Sequence, residues 1–191
     1  VPGLLAELRS KAPKVIARVR SGNVESLHAL LLAEAIDFFV ADPRLLARDA
    51  DLDMVPLMKI AGALYCRPGH PLLREKRPTP ESLRRHGIGM VSTKPELFGL
   101  VAQALGFGDP KTFPLAVECD DLHTLSRLAM DGDLLALLPH GLVSDLGMDL
   151  RPLPALTQQT TLFAHVHAIW LRGRTLAPAA RSSGHTVTFL P

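Results

Sequence analysis

The apolar run Ala61–Cys66 is strand-like, and Arg67, Pro68, Gly69, His70 and Pro71 cut it off at once. Proline has no N–H for the ladder and glycine loosens the backbone, so this stretch cannot continue a sheet. The chain must leave one sheet here. On both sides of the break, short apolar runs alternate with helical patterns, the signature of an α/β chain. We therefore expect two α/β lobes joined at Cys66 to Pro71, with a cleft between them as the place for a small ligand.

The 191 residues are enough for two small lobes that each bury a core. A single Trp and a single Tyr argue against an aromatic platform for sugars or nucleic acid. The net charge of +2 gives this segment no electrostatic reason to bind DNA, RNA or an anionic membrane. Cys66 and Cys119 have no short metal-ligand spacing, and the expected compartment is a reducing cytoplasm. The most apolar segment, Leu27–Val40, is interrupted by Glu34 and Asp37, so no membrane span is expected. No signal peptide is visible. The chain opens on Val1, and the natural start is expected upstream.

Along the chain, Leu4, Leu5 and Leu8 share a face of a helix over Gly3–Ser10 that Pro13 ends. Val15–Val19 alternates as a strand, Asn23 caps a helix over Val24–Ala33, and Ile36–Val40 reads as a buried strand. Met54–Ile60 is a further strand leading to the crossover. The basic run from Arg67 to His86 reads as a solvated surface, with a short helix starting near Thr79 and Pro80. Strands follow at Ile88–Val91, Leu115–Cys119 and Leu134–Leu138. Between them lie a helix over Lys94–Leu105, with Thr93 and Glu96 as a capping box, and a helix capped by Asp120. A brief helix over Leu142–Leu146, a long strand over Thr161–Leu171 and a helix from Ala177 complete the pattern. The order implies mainly parallel sheets.

In this order, PGLLAEL, SGNVESLHALL, IDFFVAD, CRPGHPLL, GIGMVST, DLLALLPHGLV and LRGRTLAPAARS resemble the effector-binding regulatory domain of LysR-type transcriptional regulators. The resemblance covers nearly the whole chain. It implies two Rossmann-like lobes of the type 2 periplasmic-binding-protein kind, with the ligand cleft between them. Residues 1–66 and 166–191 would form regulatory subdomain I, lacking its first strand, and residues 67–165 subdomain II. A DNA-binding helix-turn-helix domain would lie upstream. It also implies a homodimer or tetramer, touching through the helix Gly3–Ser10, the strand Val15–Val19 and the helix from Asp121, with promoter DNA met only by the upstream domain. Glu34 and Ala35 stand where the family often has a glycine, and the ending from Gly184 differs from the usual one.

Ligands favour the carboxyl ends of strands and the amino ends of helices, where backbone N–H groups are free. Ser92 and Thr93 sit at such a point with hydroxyls to offer a carboxylate, the ordinary alternative being that Thr93 only caps its helix. Ser21 and Asn23 occupy the equivalent turn of the first lobe, where capping alone explains Asn23. Asp42 follows IDFFV and would attract an amine or hydroxyl. Arg67 can pair with a carboxylate and His70 can sense pH, while a structural use of either in the hinge is at least as good an account. His140 follows the strand ending at Pro139, and a lone histidine there is more often a packing or surface residue. No cysteine–histidine spacing supports a nucleophile, and His165 with His167 lacks the further ligands of a metal site. We expect no enzyme, cofactor, metal or membrane role. The reading is a sensor for a small-molecule effector, for which a carboxylate is a candidate. The alternative is a free solute-binding protein of a transporter.

Overall fold

The computed structural model describes residues 2–46, 51–153 and 162–174. The helix expected from Ala177 and the ending from Gly184 lie outside the described residues. The chain divides into two compact units, Val1–Lys59 with His165–Pro191, and Ile60–Ala164.

In the first unit, α1 (Pro2–Lys11) is followed by α2 (Val24–Leu32), whose cap is Asn23. Leu27 and Leu31, four apart on α2, bury one stripe against Phe39 of β1 (Phe39–Ala41), Leu52 of β2 (Leu52–Cys66) and Ile169 of β7 (Phe163–Leu171). β1 and β7 are antiparallel, with Phe39 opposite Ile169 and Ala41 opposite His167, and β7 lies between β1 and β2. The alternation predicted a strand over Val15–Val19, and this is a correction: residues 15–20 are irregular and exposed, with Ile16 at 83%. Alternation marks a strand only where a neighbouring strand supplies ladder partners, and among the described residues none pairs with this segment.

The two strands expected over Met54–Ile60 and Ala61–Cys66 are one strand, β2, which enters the second unit at Ile60. It ends at Cys66. Gly69 adopts φ +74 and His70 opens a 3-10 turn, Pro71–Arg74, so the chain leaves the sheet where the prolines require it. The second unit continues with α3 (Pro80–Arg84), β3 (Ile88–Met90), α4 (Pro95–Ala104), β4 (Leu115–Glu118), α5 (Leu122–Asp131), β5 (Leu135–Pro139), α6 (His140–Asp145) and β6 (Arg151–Pro152). β3 is parallel to both β4 and β5, β2 is antiparallel to β5, and β6 is antiparallel to β2.

Both faces of this sheet are covered, which is why Ala63–Cys66 is apolar throughout. Leu64 and Cys66 of β2 join Ile88, Leu135, Leu83, Ala102, Leu105 and Phe107 on one face. Ala63 and Tyr65 join Ala136, Leu138, Leu125, Ala129 and Val143 on the other.

Candidate functional site

Because β3, β4 and β5 are parallel, their carboxyl ends share one edge of the second unit, the edge at which open α/β sheets bind ligands. Ser92 lies two residues past β3. Its amide donates to Asp120 Oδ1 at 3.1 Å and its hydroxyl to Glu118 Oε1 at 3.0 Å. Glu118 is the last residue of β4. The expected cap Asp120 is corrected here: Asp121 caps α5, accepting the amides of His123 and Thr124. The hydrogen bonds from the Thr124 hydroxyl and from the His123 amide hold the Asp121 carboxyl below the usual range. Asp120 is thereby left for Ser92.

The Thr93–Glu96 capping box is also corrected. Pro95 takes the first position of α4, and the residue before a proline is pushed out of the helical region. Lys94, at φ −67 and ψ 150, is therefore the cap, with no side-chain bond to the helix. Thr93 stands one residue outside, half-buried and next to Ser92 in the chain.

From β5 the same edge receives His140. Its Nδ1 lies 2.7 Å from the hydroxyl of Tyr65, with the two rings edge to face at 76°. Tyr65 and Glu118 are absent from the residues picked on sequence. For Tyr65 a signal was present, since a tyrosine inside a buried apolar run needs a partner for its hydroxyl. For Glu118, a carboxylate at a strand end, nothing local marks it.

Arg67 and His70 are at the opposite edge, because β2 runs against β5 and Tyr65 faces Ala136. Arg67 donates through Nε and Nη2 to Asp133 Oδ1, at 3.0 and 2.6 Å. Its guanidinium lowers the Asp133 carboxyl pKa. The His70 ring is fully enclosed, accepting the Leu72 amide at Nδ1 and meeting the Asp133 carbonyl at Nε2. Arg67 and His70 thus tie the end of β2 to the turn before β5.

Asp42, Asn23 and Ser21 belong to the first unit. Asp42 accepts from the Arg44 guanidinium, from the Arg44 amide at 3.0 Å and from the His165 amide at 2.9 Å. Burial raises its pKa, and these hydrogen bonds outweigh that and hold the carboxyl below the usual range. Asn23 accepts the Ser26 amide at 2.9 Å as the α2 cap, and Ser21 is exposed.

Burial pushes the Cys66 thiol up to about 11, which leaves it a small hydrophobe near neutral pH. Among the described residues, no group of three or more His, Cys, Asp or Glu side chains is placed to hold a metal ion. No described helix is long and apolar enough to cross a membrane.

The model of the LysR substrate binding domain matches residues 1–183. The chain belongs to the LysR substrate binding domain family. This LysR substrate binding domain is 34% identical over 190 residues to the SDS degradation transcriptional activation protein of Pseudomonas sp. (strain ATCC 19151). The alignment takes in 95% of the present chain and 60% of that protein, so the chain spans about 60% of the relative's length. Among solved structures, it is similar to the cofactor-binding domain of the Cbl transcriptional regulator. The TM-score is 0.78 at 17% identity, covering 97% of this chain and 83% of that one. It is also similar to HinK, a LysR family transcriptional regulator from Pseudomonas aeruginosa. There the TM-score is 0.70 at 20% identity, covering 95% of this chain and 62% of that one. The periplasmic-binding-protein-like α/β fold of LysR substrate binding domains is the fold of this chain.

Proposed function

We propose that this LysR substrate binding domain senses a small-molecule effector for a transcription regulator in the cytoplasm, with promoter DNA met by a further domain of the full protein. The observation that carries the reading is the carboxyl edge of three parallel strands, where Ser92 meets Glu118 and Asp120 and where β5 leads into His140. The family, and a relative named as a transcriptional activation protein, disfavour a transporter's free binding protein. A binding-domain family gives no reason to expect turnover.

The chemistry of the edge narrows the effector. Ser92 already spends its amide and hydroxyl on two carboxylates, so a carboxylate effector has to compete with Glu118 there. His140 is the better place for an acid, and the Glu118–Asp120 side favours a hydroxyl or ammonium group. To regulate, the effector must bind one arrangement of a homodimer or tetramer better than another.

The test is thermal unfolding against a panel of small carboxylates, aromatic acids and amino acids. A ligand at a hundred times its Kd stabilises the folded state by about 2.7 kcal/mol. We expect a saturable rise in Tm that is lost in the Ser92→Ala, Thr93→Val double variant. A rise unchanged in that variant would remove both residues from the site.

A further inference from the structure

Tyr65 is 4% exposed, and its ring packs among Ala63, Ala136, Leu138 and Val143. Burial raises its pKa, so the phenol stays neutral and keeps its proton. A buried hydroxyl is costly unless it donates, and the partner in reach is Nδ1 of His140 at 2.7 Å. If Nδ1 accepts, the neutral imidazole carries its proton on Nε2. That N–H is then the ring's remaining polar group, on a partly buried residue at the end of β5, the strand beside the one that leads to Ser92.

We propose that Tyr65 is a positioning residue that holds His140 in its Nε2–H tautomer, so that the edge presents one fixed donor to an oxygen acceptor of the effector, a carboxylate or carbonyl. This rests on the reading of the carboxyl edge as the effector site. A fixed tautomer adds selectivity because a donor that cannot become an acceptor rejects a ligand with an N–H or O–H at that point.

The experiment is nitrogen–proton NMR of the imidazole rings in the wild-type chain and in Tyr65→Phe, which keeps the packed ring and removes only the hydroxyl. His140 is expected as the Nε2–H tautomer in the wild type and as a mixture in the variant. Protonation at Nδ1 in the wild type, or an unchanged tautomer in Tyr65→Phe, overturns the proposal. The wild-type spectrum decides alone if the variant does not fold. Benzoate is then titrated against benzylamine, which lacks an acceptor oxygen. Saturable movement of the His140 Nε2–H signal by benzoate alone, at several-fold higher concentration in the variant, supports the donor role. If benzylamine moves it equally, or neither compound moves it while the tautomer stays fixed, the donor role and the effector-site reading of His140 fall. The hold of Tyr65 on the ring would stand.

Discussion

His70 shows what a single enclosed side chain does to stability. Its ring has no exposure, sits 4.5 Å from the His86 ring, and is flanked by Arg67 and Asp133. Burial is the largest influence and lowers its pKa, against the hydrogen bond to the Asp133 carbonyl. The unfolded chain, with a histidine near the ordinary value of about 6.5, therefore takes up the proton more readily than the folded one. The stability His70 contributes is full above that value and is lost as pH falls through it toward the lower folded pKa. His70→Asn, whose side-chain oxygen can still accept the Leu72 amide, should flatten this acid slope. Urea unfolding between about pH 5 and pH 8 checks it, and a slope matching the wild type would place the acid sensitivity elsewhere.

At the scale of elements, the end of α2 carries a strained residue. Glu34 has φ 57, and the amides of Glu34 and Ala35 close back onto the carbonyls of Leu31 and Leu30, a left-handed helix ending that glycine usually takes. Glu34 and Ala35 are the two residues that stand where the resemblance leads one to expect a glycine. Glu34→Gly relieves the clash of its Cβ and gives up an exposed ion pair with Arg174 that contributes little. We expect a gain of about 0.5–1 kcal/mol, read as a raised denaturation midpoint. At the start of α5, Asp121→Ala should lower the denaturation midpoint by removing the cap, and Asp120→Ala should not reproduce that cap loss. Equal effects of the two would show that capping is shared. Such distinctions escape sequence reading because Asp120 and Asp121 are adjacent and chemically alike. Backbone register alone decides which one meets the free amides.

For the whole molecule, each unit has its own apolar cluster, one around Leu31 and Ile169 and two against the sheet of the second unit. Leu125→Ala opens a cavity in a fully buried position of the second unit and should cost about 2–5 kcal/mol. Leu31→Ala should loosen amides of α2, β1 and β7 in hydrogen exchange while those of β3 and β5 keep their protection. Loss of protection in both sets would show a single cooperative core. The sequence by itself determined the α/β class, most of the elements in order, the stop of β2 at Cys66, and the family resemblance. The class and the elements rest on periodicity and turn residues, which act over a few positions of chain, and the resemblance rests on the order of its phrases. It also suggested Ser92 and His140 as site residues, since both follow apolar strands. Only the tertiary structure decided that Ser92 meets Glu118 and Asp120, 26 and 28 residues away, and that Tyr65 meets His140 across 75. It also decided that Arg67 holds Asp133 across 66 residues, at the edge opposite the one that carries Ser92. These pairings follow from which strands lie side by side and in which direction they run, and no local pattern encodes that.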